Sequence, residues 1–117
     1  TRWFVIANYG AARAGARIIL LNSEFSGPQV KEVSQREGAK VIIYDDEYTK
    51  TVSKAEPELG KLRALGTNPD SDEDSGSTDE TLADLIERSS KEPAPKASKH
   101  ASIIILTSGT TGTPKGA

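Results

Sequence analysis

The chain has 117 residues, enough for one small domain at most, and 35% of them are hydrophobic, which supports a thin core. Lys and Arg total 15 against 17 Asp and Glu, so no basic excess points to nucleic acid. There is no cysteine, which excludes disulfides and thiolate metal sites and fits a cytoplasmic setting. The longest strictly aliphatic runs, Ile18–Leu21 and Ile103–Leu106, are far short of the roughly 18 residues of a membrane helix.

Residues 3–15 predict a helix, because Trp3, Ile6, Ala7, Gly10, Ala11 and Ala14 recur at intervals of three and four. That face is built of small residues and should pack close to a neighbour, with Trp3 and Tyr9 as packing residues and Gly15 as the stop. Ile18–Leu21 is a continuous apolar run, the pattern of a strand buried on both faces in a parallel sheet. Ser26-Gly27-Pro28 opens a second helix, with the proline in the first turn, Val30 and Val33 facing inward and Gly38 ending it. Val41–Tyr44 is a second strand of the buried type.

Asp46 to about Glu56 is expected to be helical, with Tyr48, Val52 and Ala55 on one side and Pro57 beyond its end. Asp45, Asp46 and Glu47 would interact with the positive end of that helix. Residues 61–65 suit a short strand. Residues 66–78 are acidic and rich in turn formers and read as an exposed loop; their carboxylates are read as solvated rather than as a metal site. Ser77 and Glu80 form a capping-box pattern ahead of a helix carried by Leu82, Leu85 and Ile86 to about Ser89. Residues 91–99 form a Pro/Lys/Ser linker, His100 is expected to be solvated, and Ser102–Leu106 is the last buried strand. Helices thus alternate with buried, mainly parallel strands, an α/β arrangement.

The chemistry concentrates in residues 106–116. Gly109 and Gly112 allow backbone to approach a ligand closely, so that successive N–H groups can line an anion nest. Thr107, Ser108, Thr110, Thr111 and Thr113 add hydroxyls able to meet phosphate oxygens or metal-bound water. Pro114 stiffens the exit, and Lys115 brings a positive charge. The segment follows a buried strand, the place where open α/β sheets receive ligands. The P-loop of NTPases, G-x-x-x-x-G-K-[ST], does not fit, because Lys115 stands three residues after Gly112 and Gly116 follows it.

Thr107-Ser108-Gly109-Thr110-Thr111-Gly112-Thr113-Pro114-Lys115-Gly116 resembles the signature of the AMP-binding, adenylate-forming enzymes, which include acyl-CoA synthetases, firefly luciferases and peptide-synthetase adenylation domains. Tyr9–Ala16 with Leu20-Leu21-Asn22 is similar to the family's A-x-x-x-A-G-A … P-L-N stretch, with Leu20 in the place of the proline. Gly38-Ala39-Lys40-Val41-Ile42-Ile43 resembles its later G-A-K strand. Residues 45–101 carry no resemblance.

The resemblance implies an incomplete part of the large N-terminal domain of the adenylate-forming fold, belonging to an ATP-dependent acid–thiol ligase. In that family a carboxylate attacks the α-phosphate of ATP, pyrophosphate leaves, and a thiol, usually that of coenzyme A, takes the acyl group. Carried over by position, Thr107, Ser108, Gly109, Thr110, Thr111 and Gly112 would wrap the β- and γ-phosphates. Thr107 would assist Mg²⁺, and Lys115 would neutralise charge on the departing pyrophosphate or hold the loop closed. The Tyr9–Asn22 stretch favours a fatty acyl-CoA synthetase, cytoplasmic or peripheral to a membrane. The acyl pocket, the adenine-binding residues, the coenzyme A site and the mobile C-terminal domain would lie after residue 117, so the piece alone is expected to be inactive and to work with the remainder of the same polypeptide. A non-catalytic nucleotide- or phosphate-binding module and an inert scaffold fragment are the alternatives.

Overall fold

The computed structural model describes residues 2–57, 60–64, 77–107 and 115–116. They fall into two compact units, one built from Phe25–Ser89 and the other from Arg2–Glu24 with Ser90–Ala117.

In the first unit, helix α2 (Gly27–Arg36) begins at a reciprocal cap. The Ser26 hydroxyl accepts from the Gln29 N–H at 3.4 Å, and the Ser26 N–H donates to the Gln29 side chain at 2.9 Å. Two otherwise unpaired N–H groups are thereby satisfied. Pro28 in the first turn forfeits no helical bond. At the other end Gly38 takes φ +64°, while the Gly38 and Ala39 N–H groups return to the carbonyls of Gln35 and Ser34. This left-handed cap turns the chain into strand β2 (Val41–Asp45). Val30, Val33 and Ser34 are the buried face of α2, and the Ser34 hydroxyl is satisfied by the Val30 carbonyl at 2.6 Å.

Strand β2 pairs in parallel with β3 (Gly60–Ala64), Val41 opposite Gly60 through Asp45 opposite Ala64. Between them run a 3-10 turn (Asp46–Tyr48) and the short helix α3 (Thr49–Val52). The helix expected over 46–56 therefore ends early, although Val52 and Ala55 still reach the core and Tyr48 packs against it. Ile42 and Tyr44 from β2 join Val30, Val52 and Ala55 in one buried cluster flanked by Phe25 and Tyr48. Val41 and Ile43 on the opposite face remain 40% exposed. In this chain β2 is thus covered on one face, not on both as its apolar run suggested.

Helix α4 (Leu82–Arg88) corrects the expected cap. Its N-cap is Thr81, whose hydroxyl accepts from the Asp84 N–H at 3.1 Å. Ser77 instead accepts from the Asp79 N–H, and Glu80 pairs with Arg88. The Arg88 guanidinium holds the Glu80 carboxyl below its ordinary range.

In the second unit, helix α1 (Arg2–Arg13) also closes with a left-handed glycine: Gly15 has φ +73°, and the Ala16 and Gly15 N–H groups bond to the carbonyls of Ala11 and Ala12 at 3.0 Å. Strand β1 (Arg17–Leu20) follows at once and pairs in parallel with β4 (Ser102–Thr107), from Arg17 opposite Ser102 to Leu20 opposite Ile105. A two-residue strand β5 (Lys115–Gly116) pairs antiparallel with the end of β4.

No residue of α1 is buried, and Gly10 has open space where its side chain would be. The expected close packing of its small face is therefore absent among the described residues. Tyr9, expected to pack, is 68% exposed, whereas Trp3 is half-buried with the Arg2 guanidinium 5.0 Å from its ring centre. Ile103 and Ile105 of β4 are exposed, so this strand too is open on one face. Residues 91–99 are exposed except for Ala97, and His100 is exposed.

Candidate functional site

Strand β4 outruns its parallel partner. The ladder with β1 ends at Leu20 opposite Ile105, and β4 continues through Leu106 and Thr107. Those last two residues pair instead with β5: Leu106 lies opposite Gly116 and Thr107 opposite Lys115. The backbone at the carboxyl end of β4 thus forms the base of a hairpin, and residues 108–114 connect its two sides.

Of the candidate phosphate-binding residues, Thr107 and Lys115 are brought together as register partners, a pairing that sets Cα atoms about 5 Å apart. Ser108, Gly109, Thr110, Thr111 and Gly112 lie outside the described residues. Local spacing read residues 106–116 as one loop; the structure makes its two ends strand. The hairpin base stands at the carboxyl end of a parallel strand, the edge where open α/β sheets present ligand-binding loops.

A second polar cluster occupies the carboxyl ends of β2 and β3 in the first unit. The Tyr44 hydroxyl donates to the Asp79 carboxylate at 2.7 Å and bonds to the Ser77 hydroxyl at 2.9 Å. Burial pushes the Tyr44 phenol above its ordinary pKa of 10.0; the Asp79 hydrogen bond and charge act in the same direction, while the Ser77 and Thr49 hydroxyls oppose it. Arg63 reaches the Asp79 carbonyl through Nε and the Asp46 carboxylate through a terminal nitrogen, both at 3.0 Å. Asp46 lies, with Glu47, in the first turn of the 3-10 segment as expected, and it is also tied to Arg63 across the sheet end. Apart from an arginine within a short strand, no local signal in the sequence announces this cluster.

No group of three or more His, Asp or Glu side chains able to hold a metal occurs among the described residues. No helix among them is long and apolar enough to cross a membrane.

Comparison with known proteins places this geometry. The long-chain-fatty-acid–CoA ligase FadD13 of Mycobacterium tuberculosis is 31% identical over 109 residues, covering 92% of this chain and 20% of the ligase. The chain therefore spans about a fifth of the length of the curated relatives it matches. Among solved structures, an acyl-CoA synthetase of Brucella canis superposes with a TM-score of 0.70 at 23% identity, over 100% of this chain and 21% of the synthetase. The anthranilate CoA ligase AuaEII, in complex with anthranoyl-AMP, superposes with a TM-score of 0.71 at 21% identity, over 99% of this chain and 22% of the ligase. These two likenesses establish the fold, part of the N-terminal domain of the adenylate-forming acyl-CoA synthetases. The family described as AMP-binding enzyme matches residues 1–117, and the chain belongs to that family.

Proposed function

We propose that the protein is an AMP-forming acid–thiol ligase that activates a carboxylic acid with ATP through an acyl-adenylate and passes the acyl group to coenzyme A. One observation carries this reading to specific residues. In a chain of the AMP-binding family, Thr107 and Lys115 are register partners at the carboxyl end of β4, so the two ends of the Gly/Thr-rich segment share one hairpin base. A fatty acid is the proposed substrate class, on the likeness to a ligase named for long-chain fatty acids. The proposed setting is the cytoplasm or the surface of a membrane.

The donor set suits a polyphosphate. Gly109 and Gly112 permit an anion nest of backbone N–H groups, and the hydroxyls of Thr107, Ser108, Thr110 and Thr111 supply further donors. These residues would hold the β- and γ-phosphates while the carboxylate attacks the α-phosphate and pyrophosphate departs. Lys115 would stabilise charge as it develops on that leaving group. The Thr107 hydroxyl would hold Mg²⁺, which supplies charge neutralisation when bound. Catalysis of this kind rests on positioning and electrostatics. The acid, adenine and coenzyme A sites belong to the remainder of the polypeptide, and the 117-residue chain by itself is proposed to be inactive.

Lys115→Ala in the whole enzyme tests the assignment. Acid-dependent exchange of labelled pyrophosphate into ATP should slow by roughly 10–1000-fold, the effect of losing one group that stabilises developing charge. Unchanged exchange would remove Lys115 from the reaction. Absence of acid-dependent exchange in the unaltered enzyme would overturn the ligase reading itself.

A further inference from the structure

Among the described residues, polar links that join residues 77–88 to the β2–β3 sheet converge on one register pair. Tyr44 and Arg63 lie opposite each other in the β2–β3 ladder. Tyr44 holds the side chains of Asp79 and Ser77 through its hydroxyl. Arg63 holds the Asp79 carbonyl through its side chain and the Glu80 carbonyl through its own N–H at 3.0 Å, and it forms a single parallel bridge with Thr81. The other arm of Arg63 is fixed to Asp46, so the grip is anchored in the body of the unit.

Beyond these polar links, among the described residues, the segment places one large apolar side chain in the core, Leu82 at 6% exposure. The buried cluster of Val30, Ile42, Tyr44, Val52 and Ala55 contains no residue of 77–88. Burial in the segment is confined to Thr81 and Leu82, at the start of α4, while Ile86 is 44% exposed. The Arg88–Glu80 pair joins the segment to itself and not to the sheet. Helix α4 has seven residues, well below the roughly 12–15 at which a helix becomes marginally stable without tertiary support. Low apolar burial and dependence on a few polar links are the marks of a segment that opens before the rest of its unit.

We propose that Ser77–Arg88 is a strap that releases from the β2–β3 sheet as one piece, leaving α2, β2, α3 and β3 folded, and that Tyr44 and Arg63 are the residues that fasten it. Its release bares the carboxyl ends of β2 and β3.

Native-state hydrogen exchange on the whole polypeptide tests this. In the unaltered protein the amides of α4 should exchange faster than those of Val33 and Ile42. Tyr44→Phe keeps the ring in the core and removes only the hydroxyl; Arg63→Met keeps an unbranched side chain and removes the charge. Each variant should accelerate exchange over 82–88 by roughly tenfold or more, the loss of one hydrogen bond to a charged group. Val33→Ala, which weakens buried α2 packing in the fastened and the released states alike, should accelerate exchange in α2 and β2 and leave 82–88 unchanged. Acceleration over 82–88 by Val33→Ala as large as that in α2 and β2 would show that the segment opens only with the whole unit and would overturn the proposal. Unaltered exchange over 82–88 in both Tyr44→Phe and Arg63→Met would also overturn it.

Discussion

Gly15 abuts the Lys99 carbonyl so closely that no Cβ fits between them, and a methyl there would also meet the Ala97 side chain at 3.0 Å. Gly38 ends α2 in the same left-handed conformation but faces open space. The two glycines therefore separate backbone strain from steric clash. Gly38→Ala should cost about 1 kcal/mol, the penalty of a left-handed alanine. Gly15→Ala should cost at least about 2 kcal/mol, since either the turn or the 97–99 segment must shift. Urea unfolding of the two variants measures the difference.

The Tyr44 phenol gives the fold an alkaline limit. Its folded pKa lies above the unfolded value of 10.0. The folded state thus retains this proton more tightly than the unfolded chain does. The resulting stabilisation is fully present below pH 10 and is lost as pH rises through the folded pKa, where a phenolate would face the Asp79 carboxylate. Tyr44→Phe should remove that component of the alkaline decline while leaving the shape of the profile at neutral pH unchanged. Unfolding midpoints between pH 8 and pH 11 provide the measurement.

Two caps can be separated by substitution. Ser26→Ala and Thr81→Ala should each cost about 1 kcal/mol, because each removes a hydroxyl that satisfies a first-turn N–H. Arg88→Ala, which breaks only the surface pair with Glu80, should leave the unfolding midpoint unchanged.

Val33 has no exposed surface. Val33→Ala should destabilise the first unit by about 2 kcal/mol through lost burial and the void left behind. Calorimetry or denaturant unfolding checks the value.

Much of the element order was legible in the sequence. The Ser26 cap, the proline in the first turn of α2 and the closing Gly38 lie within a few residues of what they control, and each governs local backbone geometry. The second cap shows the limit of that reasoning. Ser77-x-x-Glu80 and Thr81-x-x-Asp84 are consecutive versions of one pattern, and the choice between them depends on residues outside each: Ser77 is engaged by Tyr44 and Glu80 by Arg88. The Tyr44–Asp79 and Arg63–Asp46 links join residues 35 and 17 positions apart, beyond the reach of periodicity. Apolar runs in Val41–Tyr44 and Ile103–Leu106 identified strands but overstated their burial, since an apolar side chain records what a face can bury and not what covers it. In the candidate site, residue types are the ground for the phosphate proposal, whereas the pairing of Thr107 with Lys115 required the fold.

The parallel pairing of β1 with β4 joins the two ends of a long stretch of chain, with the whole of the first unit between them in sequence. During synthesis from the N-terminus, α2 through α4 emerge and can fold while β1 still lacks its neighbour. Closing so long a connection costs entropy that β1–β4 contacts recover only after β4 has been made, and such non-local pairings form slowly. The β1–β4 ladder that precedes the hairpin base along β4 is consequently slow to form. A variant that weakens β1 would delay that ladder without altering a residue of the base.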